Sequence, residues 1–138
     1  MRSRGTLAIL AGTMMFSTWL VGGAAPAGAA GPCGSGYNLV GSYPIPASGA
    51  KTGTINVYYN SGSGKNCAIA KGTGSNYGKK NYKVVGISVS GAGRWTGYDS
   101  GLFSYYAGPV YVSARNKCID VLGGVGSPQR VVRKVHCG

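Results

Sequence analysis

The stretch YYAGPVYVSARNKCID, Tyr105 to Asp120, decides how the rest of the chain is read. Tyr106, Val110 and Val112, with the residues between them, are strand formers: aromatic, β-branched or small. Gly108-Pro109 interrupts the run near its start. Proline has no N–H to give a ladder, so Pro109 belongs at an edge position, a strand entry or a bulge. Beyond it PVYVSA is unbroken, and KCIDVL follows within a few residues. The pattern predicts a strand, a short basic turn at Arg115-Asn116-Lys117, and a second strand carrying Cys118. The rest of the chain offers no comparable apolar run that also ends on a cysteine.

Immediately upstream, Arg94 to Leu102 (RWTGYDSGL) reads as irregular, with Trp95 and Tyr98 available to pack. Tyr82 to Ser90 (YKVVGISVS) reads as a strand in which Gly86 marks a bulge or a close approach. Gly72 to Lys80 has loop chemistry. Further back, Thr54 to Asn60 (TINVYYN) alternates, with Ile55, Val57 and Tyr59 on one face and Thr54, Asn56 and Tyr58 on the other. That period of two is the mark of a half-buried strand. Asn66 to Lys71 (NCAIAK) returns after the turn cluster Ser61 to Lys65, which makes these two runs the best hairpin in the chain. Tyr37 to Ile45 (YNLVGSYPI) is a strand ended by Pro44 and Pro46. Downstream, Gly123 to Pro128 reads as a loop and Arg130 to His136 (RVVRKVH) as the last strand. Strands at short intervals joined by glycine turns predict a small all-β fold, an antiparallel sandwich or barrel.

The first 29 residues read differently. Arg2 and Arg4 precede a short apolar run from Leu7 to Val21, and small residues lead to Ala27-Gly28-Ala29. This is the three-part order of a secretory signal peptide. The run is interrupted by Gly12, Thr13, Ser17 and Thr18, whereas a spanning helix needs about 20 largely apolar residues. The expectation is a cleaved leader, residues 1–29, and a single secreted domain, residues 30–138, with no membrane span. Cys33, Cys67, Cys118 and Cys137 all lie beyond the leader. An even count in an exported chain argues for two disulfides. Three pairings are possible, and the preferred one closes two contiguous segments, Cys33–Cys67 and Cys118–Cys137. No two cysteines have the close spacing of a structural zinc site.

The charge is lopsided. Fourteen lysines and arginines face two acidic residues, Asp99 and Asp120, for a net charge of +12, and glutamate is absent. Such a surface attracts polyanions, which outside a cell means wall polymers, acidic polysaccharides, anionic lipid surfaces or released nucleic acid. The basic residues are spread along the chain, and the close groups are Lys79-Lys80 with Lys83, and Arg130 with Arg133-Lys134.

This inventory is poor in catalytic chemistry. A paired-carboxylate hydrolase would have to use Asp99 with Asp120. A serine triad would need His136, the single histidine, which adjoins Cys137, and no G-x-S-x-G elbow is present. Cysteines held in disulfides are not nucleophiles. Gly62-Ser63-Gly64-Lys65 lacks P-loop spacing and reads as a hairpin turn. Neither a cofactor nor a metal is expected. Tyr77, Lys79, Lys80, Tyr82 and Lys83 interleave aromatic and basic residues as a nucleic-acid surface would, yet no nucleic-acid fold signature accompanies them. No specific nucleic-acid partner is expected.

The segments CGSGYNLVGSYPI (Cys33–Ile45), YNSGSGKNC (Tyr59–Cys67) and YYAGPVYVSARNKCID, closing on Cys137-Gly138, resemble the spore-associated protein A family of streptomycetes and related actinomycetes. The resemblance spans essentially the whole chain beyond the leader. It implies a small exported protein found with spores or aerial growth, and it carries over no catalytic residue. A second, local likeness links NKCIDVLGG (Asn116–Gly124) to one repeat of a ricin-type β-trefoil lectin, in which the acid after the cysteine binds a sugar hydroxyl; here that position is Asp120. The combined expectation is a non-enzymatic, basic protein of the cell or spore surface that binds anionic wall polymers. Its candidate binding residues are Lys79, Lys80, Tyr82, Lys83, Asp120, Arg130, Arg133 and Lys134. The alternative is a lectin-like or cationic antibacterial module.

Overall fold

The structure is a computed structural model that describes residues 30–138, so the expected leader lies outside the described residues. Eight strands follow in order: β1 (Asn38–Ile45), β2 (Gly53–Asn60), β3 (Lys65–Gly72), β4 (Asn81–Val89), β5 (Gly97–Phe103), β6 (Tyr106–Ser113), β7 (Ile119–Val125) and β8 (Gln129–Val135). A 3-10 turn, Gly74–Asn76, sits between β3 and β4. The strands form two four-stranded antiparallel sheets, ordered β1-β2-β3-β6 and β5-β4-β7-β8. The expected all-β sandwich is therefore present, and two disulfides brace it: Cys33 to Cys67 and Cys118 to Cys137.

The core follows from alternation. Ile55 and Val57 of β2 pair with Ala70 and Ala68 of β3, and all four are fully buried on the inner face of the first sheet. Val85 and Ile87 of β4 lie opposite Gly123 and Val121 of β7 on the inner face of the second. Each Ile or Val enclosed in this way contributes about 1.5–3 kcal/mol of apolar transfer free energy. Where Ile45 and Ile55 reach across, the facing position is Gly123. A Cβ there would lie 2.4 Å from Ile55 Cγ1.

The hairpin of β2 and β3 is paired from Gly53↔Gly72 to Asn60↔Lys65. Pro109 lies on β6, an edge strand of its sheet. Ala68 of β3 faces Val110 while Ala70 faces Ala107, so β6 carries an extra residue at Gly108-Pro109. Edge and bulge thus coincide at the residue that cannot donate. Gly86 is a close approach without a bulge: its register with both neighbours is continuous, and a Cβ would meet the Trp95 ring at 3.0–3.2 Å.

Three expectations need correction. The strand, turn and strand expected around Arg115–Lys117 are present, with β6 pairing β3 in one sheet and β7 pairing β4 and β8 in the other, but the second strand does not carry Cys118. The turn carries the chain between the layers, and Cys118 precedes β7 instead of lying within it. Most of the supposedly irregular 94–102 stretch is β5, which pairs with β4 from Asn81↔Phe103 to Ile87↔Gly97. Its glycine, serine and aspartate have low strand propensity, and pairing with a strongly strand-forming neighbour overrides that. Finally, β7 continues through Gly123 and Gly124 to Val125 where a loop was expected. Glycine is required at both positions because Ile55 occupies the inner side of one and Val84 and Gln129 the outer side of the other.

Candidate binding surfaces

The end of the sandwich nearest Gly72 is built on a lysine. Lys83 falls on the inward face of β4 with Val85 and Ile87, and no part of it is open to solvent. Its stem packs against Gly72, where a Cβ would stand 3.0 Å from Lys83 Cε. Its Nζ donates to the carbonyl of Phe103 (2.7 Å), the carbonyl of Lys79 (3.0 Å) and Oδ1 of Asn81. Three donors meet three oxygens, which makes burial of the charge tolerable. Burial, and then the nearby Lys79, pull its pKa below the usual lysine value. Lys83 was expected on an exposed patch; it lies instead beneath one, tying the loop before β4 to the end of β5.

Those two loops carry the exposed residues. Tyr77 and Tyr105 pack ring to ring with centroids 4.9 Å apart, and Lys71 Nζ lies 5.4 Å from the Tyr77 centroid. A cation over a ring face is favourable by about 0.5–1 kcal/mol at an exposed site. Gly78 N–H donates to Ser104 O at 2.8 Å, a second tie between the loops. Lys79, Lys80 and Tyr82 are exposed beside them. The sequence placed Tyr77, Lys79, Lys80 and Tyr82 together. Lys71 and Tyr105 join them only through the fold, and nothing local in their sequence signals it.

The other expected residues fall elsewhere. Arg130 donates to Pro44 O at 3.0 Å and lies 5.7 Å from the Tyr43 ring centroid. Asp120 is 4% exposed, on the outer side of β7 opposite Ser88 of β4. Its Oδ2 accepts from Arg133 Nη1 at 3.0 Å and its Oδ1 from the Lys134 backbone N–H at 2.9 Å. Burial opposes its ionisation, but the Lys134 N–H, the Ser90 hydroxyl and Arg133 together hold the carboxyl below its usual range. A carboxylate satisfied in this way anchors β8 to β7. The two four-stranded sheets are not a trefoil, so the lectin-repeat likeness at Asp120 does not extend to the architecture. Asp99 is also engaged internally: its Oδ2 accepts from Gly108 N–H at 2.7 Å, joining β5 of one sheet to β6 of the other.

At the opposite end, His136 Nε2 is 2.8 Å from the Tyr43 hydroxyl, and burial pushes its pKa down. A cavity of about 240 Å³ adjoins it, lined by Val40, Tyr59, Asn66, Ala114, Asn116 and Gly138. Among the described residues no three His, Cys, Asp or Glu side chains are grouped to hold a metal ion, and no helix is long and apolar enough to cross a membrane.

These features define a class: a small antiparallel β sandwich, clamped by two disulfides, whose two carboxylates are engaged within the protein while its basic residues, Lys83 apart, reach the surface. The chain is 41% identical over 133 residues to spore-associated protein A of Streptomyces coelicolor, an alignment covering 92% of this chain and 80% of that protein. The chain therefore belongs to the spore-associated protein A family. No family model matches it, and no solved structure matches it.

Proposed function

We propose that this chain is a non-enzymatic protein of the spore or cell surface, held there by anionic wall polymers against its basic end. The relative's name supports the location, and two disulfides suit an oxidising, extracellular setting. One observation supports the binding: neither aspartate is exposed, and among the described residues Arg133 alone pairs with one, so Lys71, Lys79 and Lys80 have no carboxylate partner. At the Gly72 end this unneutralised charge is gathered as Lys71, Lys79 and Lys80 around the Tyr77–Tyr105 pair, on loops that the buried Lys83 holds in place.

The test is retention on purified cell wall at fixed, moderate salt. Replacing Lys71, Lys79 and Lys80 together by Gln should weaken retention more than replacing Lys65, Lys117 and Lys134, which removes the same charge at the other end of the sandwich. Equal losses from the two triples would mean that net charge alone acts and that this end has no special part.

A further inference from the structure

The connection between β4 and β5 folds back over the outer face of the second sheet. Gly93, Arg94 and Trp95 from this connection, Ser88 of β4, Asp120 of β7 and Arg133 of β8 line a groove of about 220 Å³. Trp95 lies over Gly86, whose missing Cβ leaves room for the indole against the strand. The ring is half-buried, so it keeps an accessible part toward the groove. Arg94 is exposed and makes no ion pair among the described residues. Arg133 commits Nη1 to Asp120, yet its side chain is 67% exposed, which leaves most of its guanidinium fork free. Ser88 and Asp120, both nearly buried, form a polar floor.

We propose that this groove is a binding subsite for one carboxylate-bearing sugar ring, a uronic acid unit of an acidic polysaccharide. This rests on the reading that the protein binds anionic polymers, and it names one chemistry and one place. The volume is below the roughly 300–1,000 Å³ of sites for drug-sized ligands and suits a single ring within a longer chain. The ionised Asp120 of the floor is offset by Arg133, so the net positive charge of the groove is that of Arg94, with the free side of the Arg133 fork beside it. Guanidinium forks match a planar carboxylate bidentately. The indole supplies the flat apolar surface on which the C–H face of a pyranose can rest. A glycerol phosphate polymer offers charge without such a ring and would leave Trp95 unused.

The test is calorimetric titration of the protein with three probes in moderate salt: an oligogalacturonate, the same oligosaccharide with its carboxyl groups reduced to alcohols, and poly(glycerol phosphate). The oligogalacturonate should bind, and the reduced form should bind about tenfold more weakly or not at all. Arg94→Ala, at an exposed position that leaves the fold intact, should weaken oligogalacturonate binding by about tenfold. Trp95→Phe should weaken it less than Trp95→Ala, with thermal melts confirming that both variants fold. Two results would overturn the subsite while leaving the basic-end reading standing. One is oligogalacturonate binding that Arg94→Ala leaves unchanged but Lys79→Gln with Lys80→Gln abolishes. The other is tighter binding of poly(glycerol phosphate) than of oligogalacturonate, with the same insensitivity to Arg94. Absence of binding to either polyanion would overturn both readings together.

Discussion

Single side chains set the conditions under which this fold holds. His136 is pressed against Tyr43 and Gly41, where a Cβ on residue 41 would stand 2.7 Å from the ring. Burial lowers its pKa from 6.5, so the folded state favours the neutral ring. The stability linked to this group is fully present above pH 6.5 and is lost as pH falls through the lowered folded value. Asp120, also with a depressed pKa, adds a second loss only as pH falls below its ordinary 3.8. Melting temperatures recorded downward from about pH 7.5 should therefore decline in two stages. His136→Gln should remove the first stage and keep the second; an unchanged profile in that variant would reject the assignment. Lys83 makes the other prediction at this scale. Lys83→Ala leaves a void over Gly72 and strands the carbonyls of Lys79 and Phe103, costing about 2–4 kcal/mol. Lys79→Ala, at an exposed position, should change stability by less than about 0.5 kcal/mol. Urea unfolding of the two variants measures the difference. This contrast is one the sequence hid: Lys79, Lys80 and Lys83 read alike as a basic cluster. Strand alternation puts Lys83 in phase with Val85 and Ile87, yet a charged residue in an inward phase is read as exposed until its three oxygen partners are known.

At the scale of strands and turns, legibility followed local pattern. β2, β3, β4 and β8 stood out because apolar alternation and turn residues agreed over most of their lengths. β5 did not, because its ordering comes from β4 beside it and from the Asp99–Gly108 hydrogen bond to the facing sheet. The end of β7 was hidden for a related reason. Gly123-Gly124 looks like a turn, but both residues are glycine because neighbouring layers leave no space for a side chain. Gly123→Ala should therefore destabilise the protein by about 1–3 kcal/mol through overpacking against Ile55. A midpoint of urea unfolding equal to that of the parent would show that the two sheets can separate without cost. The pairing of sheets was also out of reach: the basic turn at Arg115–Lys117 is equally suited to a hairpin and to a crossing, and only long-range pairing of β6 with β3 separates them.

For the molecule as a whole, charge and bracing act together. Two disulfides pin the lead before β1 to β3 and the tail after β8 to the start of β7, so a glycine-rich chain can hold exposed loops in fixed positions. On that frame both carboxylates are engaged by partners within the protein, and the outer surface is left cationic. The charge and the disulfide pairing were legible in the sequence, whereas the gathering of Lys71 with Tyr77 and Tyr105, and the groove beneath Trp95, depend on loops brought together from distant parts of the chain. If wall polymers are held by this surface, their attraction must weaken as the screening length shrinks from about 10 Å at 0.1 M salt to about 3 Å at 1 M. The most direct measurement is the fraction of protein retained on purified cell wall as salt is raised across that range. The account predicts progressive release, nearly complete at the upper end; retention that stays constant throughout would contradict it.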